Sequence, residues 1–278
     1  MKVFLIGGTG FVGSYLLKEL VANNFEVTML VRAGSLQKLK IEHNIKIVNG
    51  DIFSKDILIQ HLKGADLVIN LVGIIREQQS SGITFERLHY DGVINLLDAC
   101  KMANVKKIIH MSANGASLEG VSNYQVSKMK AEIAIKESGL DWTIFRPSVI
   151  FGDSNKKMEF SYELAKVIQM VPIMPIFGSG DYQLEPVAIE DVAKVFRQAT
   201  QLQSANHKIF ELGGGKIFKF KEIINIIANR VKGRDIKSIH IPLSLIEPVA
   251  KLLGGFSFFP ISIDQLEMLK AGNVTTDH

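Results

Sequence analysis

The chain opens Met1-Lys-Val-Phe-Leu-Ile-Gly-Gly-Thr-Gly-Phe-Val-Gly13, an apolar strand that runs straight into a glycine-rich turn and then a helix. Gly7, Gly10 and Gly13 fall three apart, and Gly8-x-Gly10-x-x-Gly13 also fits the dinucleotide-binding fingerprint. The glycines have distinct tasks. One permits the tight turn, one lets backbone approach a pyrophosphate with no Cβ in the way, and one lets the helix pack closely on the strand. N–H groups opening the helix then face the phosphates, helped by the helix dipole. Thr9, Phe11 and Val12 complete the stretch expected to touch a cofactor. The helix is expected over residues 11–23, with apolar Phe11, Val12, Leu16, Leu17 and Leu20 along it. A glycine triplet alone describes many ordinary βα loops; placed between a strand and an amphipathic helix it argues for nucleotide binding.

Composition narrows the classes. At 278 residues there is room for one large α/β domain, or for a cofactor domain with a smaller lobe. A hydrophobic content of 47% provides a sizeable core, and 22% charge argues against disorder. The single cysteine, Cys100, has no partner for an internal disulfide and makes a thiolate metal site improbable, which fits a reducing compartment. No metal is expected. Lys2 to Ile6 already reads as a strand, so no cleavable signal is expected there. No apolar run reaches the roughly 18 residues of a spanning helix. A net charge of +4 is mild, and no basic face with aromatic platforms suggests nucleic acid. The expected location is cytoplasmic, or peripheral to the inner membrane.

Short β-branched-rich runs alternate with helical stretches. Strands are expected over residues 2–6, 26–31, 45–48, 67–71, 107–111 and 142–145, with helices over 11–23, 55–63, 84–103 and 122–138. Continuous apolar strands of this length suit a sheet covered on both faces. The alternation implies an α/β fold, a doubly wound parallel Rossmann-type sheet. Residues 1–150 are read as the dinucleotide-binding domain and 151–278 as a smaller α/β lobe interleaved with it. After Gly152 the rhythm breaks at Pro172, Pro175, Gly178 and Gly180; then a helix over 189–202, a strand over 208–212 and a helix over 220–232 are expected.

In such a sheet the ligand lies beyond the carboxyl ends of the strands. After the second strand stands Arg32, where an acidic residue would usually accept hydrogen bonds from the ribose hydroxyls. An arginine suits a 2′-phosphate, so NADP(H) is the expected cofactor and NAD(H) the alternative. Asp51 and Ile52 follow the third strand and are expected around the adenine. Asn70, Val72 and Gly73 follow the fourth and are expected on the ribose and nicotinamide side. A solvated loop arginine is the plainer reading of Arg32.

Tyr124-Gln-Val-Ser-Lys128 is the catalytic candidate, with Ser112 twelve residues earlier at the end of the fifth strand. Residues four apart share a helix face, so Tyr124 and Lys128 look into one cleft. A lysine ammonium beside a phenol favours the phenolate and lowers its pKa, while Ser112 would hold the substrate oxygen. Lys128 would also touch the cofactor. The alternative is an exposed Tyr–Lys pair on a helix surface.

Together these features resemble the short-chain dehydrogenase/reductase superfamily in its extended or atypical, NAD-dependent epimerase/dehydratase-like branch. Further stretches resemble the group around the nucleotide-binding accessory subunit of respiratory complex I (alpha-subcomplex subunit nine): Phe85-Glu-Arg-Leu-His-Tyr-Asp-Gly92, His110-Met-Ser-Ala-Asn-Gly-Ala116, Tyr124 to Glu132 and Thr143-Ile-Phe-Arg-Pro-Ser148. So do Gln183 to Ala193, Phe210 to Gly215 and Ile263 to Leu269. The resemblance implies a Ser112–Tyr124–Lys128 catalytic set in an NAD(P)-dependent oxidoreductase, epimerase or dehydratase. It equally implies a tightly held NADPH in a structural subunit that does not turn it over. His89 stands where many superfamily members carry an asparagine that supports a water relay to the lysine, and it either replaces that asparagine or packs.

The rest of the cleft is less specific. Arg146 is expected to orient the chain near the pocket, and Pro147 to fix a turn beside the cofactor. Met158, Phe160, Met170, Ile173, Met174 and Phe177 would form an apolar substrate wall or simply the core of the lobe; only Lys156 and Lys157 offer charge for a diphosphate. The unknown small-molecule substrate is therefore as readily an apolar carbonyl compound as a sugar nucleotide. The apolar run from Pro242 to Pro260 follows the basic Lys216, Lys219, Lys221, Arg230, Lys232, Arg234 and Lys237. It reads as a buried segment, or as a flap docking on a membrane surface or a respiratory-complex partner.

Overall fold

Val3, Phe4, Leu5 and Ile6 are each at most 3% exposed, apolar on both faces of one strand, so the sheet they belong to must be covered on both sides. The computed structural model describes residues 1–38, 45–153, 160–253 and 262–276. In chain order the first half comprises β1 (Lys2–Ile6), α1 (Phe11–Ala22), β2 (Glu26–Val31), β3 (Ile45–Asn49), α2 (Lys55–Leu62), β4 (Leu67–Asn70), α3 (Gly92–Ala103), β5 (Lys107–Met111), α4 (Asn123–Glu137) and β6 (Asp141–Pro147). There follow β7 (Ile150–Phe151), α5 (Phe160–Met170), β8 (Met174–Phe177), β9 (Gln183–Leu184), β10 (Val187–Ala188), α6 (Ile189–Gln201) and β11 (Lys208–Leu212). The chain then adds β12 (Phe218–Lys219), α7 (Phe220–Lys232), β13 (Ser238–Ile241), α8 (Leu243–Leu253) and α9 (Ile263–Ala271).

Seven strands form one parallel sheet in the order β11-β6-β5-β4-β1-β2-β3. Strand β1 lies between β4 and β2, so the order reverses there and opens a crevice at the carboxyl ends. Helices α1 and α6 cover one face, where Leu16, Leu20, Val192 and Phe196 are packed out of solvent. Helices α2, α3 and α4 cover the other through Leu58, Leu62, Leu96, Ala131 and Ile135. Each such leucine or phenylalanine contributes roughly 1.5–3 kcal/mol by burial.

Two elements beyond residue 150 return to this sheet: α6 on its face and β11 on its edge beside β6. The smaller lobe is built from α5, α7 and the β8–β13 pair around Leu164, Ile168, Met174, Ile176, Phe220 and Ile224. Met174 and Phe160 therefore belong to the lobe core, whereas Met170 and Ile173 are exposed; Lys156, Lys157, Met158 and the tail of the 242–260 segment lie outside the described residues. The expected single helix over 84–103 is broken. Glu86–Asp91 is a π-helical turn, which passes into α3 at Gly92. Among the described residues no helix is long and apolar enough to cross a membrane.

Candidate functional site

The glycine turn forms a cradle whose walls are backbone. Gly7 adopts φ +85°, a left-handed conformation that glycine takes without strain. Gly10 caps α1, and Gly10 N donates to Gly7 O at 3.0 Å. A Cβ on Gly13 would collide with Gly7 O and would stand 2.5 Å from Gly8 Cα, so turn and helix touch only because that atom is missing. The first hydrogen bond of the helix runs from Ser14 N to Gly10 O, and the N–H groups of Phe11, Val12 and Gly13, at its first turn, stand outside the helix's own ladder. Val12 sends its side chain into the core while Phe11 stands edge-on to Tyr15. These residues fit a diphosphate.

The other cofactor candidates ring the same edge of the sheet. Arg32 is exposed at the end of β2. The Asp51 carboxylate accepts from Phe53 N at 2.8 Å and Ser54 Oγ at 3.2 Å, so it shapes the turn after β3; Ile52 is buried against the Gly92 backbone. Asn70 Oδ1 accepts from Val72 N at 3.1 Å, and Asn70 Nδ2 lies 3.2 Å from His110 Nδ1. The asparagine is thus a brace for the loop after β4. Gly73 is where that loop meets the lysine: a Cβ there would stand 3.1 Å from Lys128 Nζ and 3.5 Å from His89 Nε2. Pro147 is buried at the end of β6, its carbonyl accepting from Asn114 N at 3.0 Å.

Helix α4 carries the catalytic candidates. Ser122 caps it by accepting from Gln125 N, and Asp264 of α9 accepts from Asn123 N at 2.9 Å. One turn inside, Lys128 Nζ lies 5.9 Å from the centre of the Tyr124 ring and donates to Met111 O at 3.1 Å. The ammonium is buried, and burial brings its pKa down to about 8 although Glu132 pulls it upward. The expected lowering of the Tyr124 pKa is not what this structure gives: burial pushes the phenol up to about 12.

Ser112 also departs from expectation. Its hydroxyl donates to Glu132 Oε1 at 2.5 Å, so its proton serves a buried carboxylate rather than a substrate oxygen. Arg146 holds the same carboxylate in a fork, Nε to Oε1 at 2.8 Å and Nη2 to Oε2 at 2.7 Å. That fork ties β6 to α4. His89 is buried on the π-helical turn, with Phe85 stacked on its ring at 5.6 Å and Tyr124 edge-on at 5.4 Å.

Sequence reasoning missed Glu132, although Lys128 and Glu132 stand four apart on one helix, a spacing that signals contact. It also missed the segment after α9. Thr275 N and Oγ1 donate to Glu185 Oε2 at 2.9 and 2.7 Å, and Thr276 N and Oγ1 to Glu211 Oε2 at 2.7 and 2.9 Å. Beside it lies a polar cleft of about 670 Å³ lined by Asn114, Gln125, Arg146, Tyr182, Glu211 and Lys270, among others. The basic residues before the apolar run are partly paired: Lys219 and Lys221 hold Asp181 at 3.1 and 2.9 Å.

The cradle and the crevice suit a dinucleotide, and comparison with known proteins supports a nicotinamide cofactor. The model of the NAD(P)H-binding family matches residues 7–170, more than half of the chain. The chain belongs to that family. Its relatives and the epimerase/dehydratase structures it resembles support an extended short-chain dehydrogenase/reductase-like protein. It is 25% identical over 279 residues to the photosystem II assembly factor Ycf39 of Trieres chinensis, covering 100% of this chain and 83% of that one. It is 26% identical over 228 residues to the mitochondrial NADH dehydrogenase [ubiquinone] 1 alpha subcomplex subunit 9 of Dictyostelium discoideum, covering 80% of this chain and 62% of that subunit. A solved UDP-glucuronic acid 4-epimerase from Bacillus cereus in complex with NAD superposes with a TM-score of 0.74 at 21% identity, covering 87% of this chain and 86% of that one. That likeness establishes the fold. Among the described residues of this family member, no group of three or more His, Cys, Asp or Glu is placed to hold a metal ion.

Proposed function

We propose that the chain is an NADP(H)-dependent oxidoreductase or epimerase/dehydratase acting at a carbonyl or hydroxyl carbon, with Tyr124 as acid/base. The observation that carries this reading is the placement of Lys128. An ammonium only 2% exposed is expensive to keep unless it has a task, and its neighbours are a phenol and the loop facing the glycine cradle. Gly7 to Gly13 would hold the diphosphate, Lys128 and the loop from Asn70 to Gly73 the nicotinamide ribose, and Arg32 a 2′-phosphate. A nicotinamide bound there supplies or accepts the hydride.

Tyr124 gives the substrate oxygen a proton at Oη, or takes one from it. With its pKa near 12 the phenol is a proton donor at neutral pH, which favours reduction of a carbonyl. Ser112, its hydroxyl proton committed to Glu132 as a donor, can only accept a further hydrogen bond and so suits a substrate hydroxyl. Tyr124→Phe is expected to abolish cofactor-linked turnover and leave nucleotide affinity nearly intact; unchanged turnover removes Tyr124 from the mechanism. Arg32→Ala should weaken NADPH binding selectively, and equal losses for NADH would end the case for a 2′-phosphate contact.

A second reading is favoured by the commitment of Ser112 to Glu132 and the high phenol pKa. It is a nucleotide-loaded structural or assembly subunit in which the cofactor stabilises the fold by mass action, with a respiratory complex or a membrane surface as its partner. Two relatives bear names of that kind. Copurification with membranes or respiratory subunits tests it, and a protein that stays monodisperse in the soluble fraction while turning over NADPH would exclude it.

A further inference from the structure

We infer that His89 is a positioning residue that ties the loop after β4 to the helix bearing Tyr124 and Lys128, an inference that rests on reading this cleft as a nicotinamide site. The argument is one of hydrogen-bond direction. Ile74 N lies 3.0 Å from His89 Nε2. A backbone N–H can only donate, so Nε2 is the bare nitrogen and the ring proton sits on Nδ1. Nδ1–H then donates to Ser127 Oγ at 2.8 Å, and the Ser127 hydroxyl donates to Tyr124 O at 2.8 Å. The chain of bonds runs one way, from the loop through the imidazole to the first turn of α4.

Packing holds the ring in that pose. Phe85 stacks on it, Tyr124 meets it edge-on, and Phe85 and Tyr124 meet each other at 5.6 Å. The π-helical turn Glu86–Asp91 delivers the ring to this point; such turns recur at functional sites. Because both nitrogens are engaged, the ring cannot pass a proton to Lys128 without letting go of Ile74. Burial with the Lys128 and His110 charges keeps its pKa down at about 2, so it also stays neutral across the working range. Loop and catalytic helix therefore move as one piece.

The test separates hydrogen bonding from shape. His89→Phe keeps a flat ring and removes both bonds; His89→Gln offers an acceptor and a donor at a similar separation. In the phenylalanine variant amide exchange at Ile74 should accelerate, and NADPH binding should weaken, each by about tenfold. The glutamine variant should recover both to within about threefold of the parent. Glutamine behaving like phenylalanine, or phenylalanine behaving like the parent, overturns the inference. Should His89→Phe fail to fold, Ser127→Ala breaks the Nδ1 side alone and must still accelerate Ile74 exchange. Nitrogen NMR of the parent ring must report the neutral Nδ1–H form, and an Nε2–H ring refutes the direction given. If the parent binds no nicotinamide nucleotide, the site reading falls while exchange and tautomer still decide the clamp.

Discussion

Ser112 donates to Glu132 across the join of β5 and α4, Oγ to Oε1 at 2.5 Å, and Arg146 of β6 closes the other side of the carboxylate. The serine is thereby part of a buried charge balance. Ser112→Ala removes a donor from a carboxylate that is out of solvent, at about 1.5–3 kcal/mol. Thermal melting should fall accordingly, with nucleotide affinity by calorimetry unchanged. An alanine variant that melts like the parent but loses the nucleotide would move Ser112 from the Glu132 network into the cofactor site.

Gly13→Ala probes the cradle. The new Cβ meets the backbone of Gly7 and Gly8, which cannot rotate aside as a side chain would, so the turn itself must shift. Overpacking of this kind costs about 1–3 kcal/mol, and the N–H groups facing the diphosphate are displaced with it. Nucleotide affinity should drop by more than about tenfold, a binding loss of about 1.4 kcal/mol or more. Affinity equal to the parent would show that the phosphates do not depend on this turn.

The large sheet was legible because period and length are local signals. The strands at residues 2–6, 26–31 and 107–111 have the same ends in sequence and structure, each being a short run with β-branched residues followed by a glycine or polar residue (Gly7, Arg32, Ser112). The glycine turn and the Tyr124–Lys128 spacing were readable for the same reason. What escaped was long-range. The bond from Ser112 to Glu132 crosses 20 residues and that from Thr275 to Glu185 crosses 90; nothing near either serine or threonine marks its partner. The π-helical turn escaped too, because one extra residue in a helix leaves the apolar pattern of residues 84–103 almost intact. The phenol pKa was misjudged from spacing alone, since burial depends on Phe85 and His89, which arrive from another helix.

Acid stability should report the two buried histidines. Burial first, then the Lys128 and His110 charges, hold His89 at about 2, and burial with Lys128 holds His110 well below 6.5. The unfolded chain protonates both near the ordinary value, so below it the unfolded state binds more protons. The stabilisation is complete above pH 6.5 and is lost as pH falls toward the native values, at about 1.4 kcal/mol per pH unit for each ring. His110→Asn keeps an acceptor for Asn70 Nδ2 and removes one titrating group. Urea melts through mild acid should show its slope smaller by one proton, and an unaltered slope would mean that His110 titrates freely in the fold.

Lys128 offers the opposite experiment. Its folded pKa of about 8 against 10.5 unfolded means that between those values the unfolded chain keeps a proton the native fold has released, and stability rises with pH across the window. Below it both states are charged, and the fold carries a desolvation cost on the order of 3 kcal/mol at 1.36 kcal/mol per pKa unit. Lys128→Met removes that cost and forfeits the bond to Met111 O, for a net gain of about 1–2 kcal/mol at neutral pH. The variant should melt several degrees higher than the parent while binding NADPH less tightly, and its advantage should shrink as pH rises from 8 toward 10.5. A methionine variant that melts below the parent at neutral pH and stays below it in alkali would show that the buried ammonium is net stabilising, and would remove the main reason for assigning it a functional task.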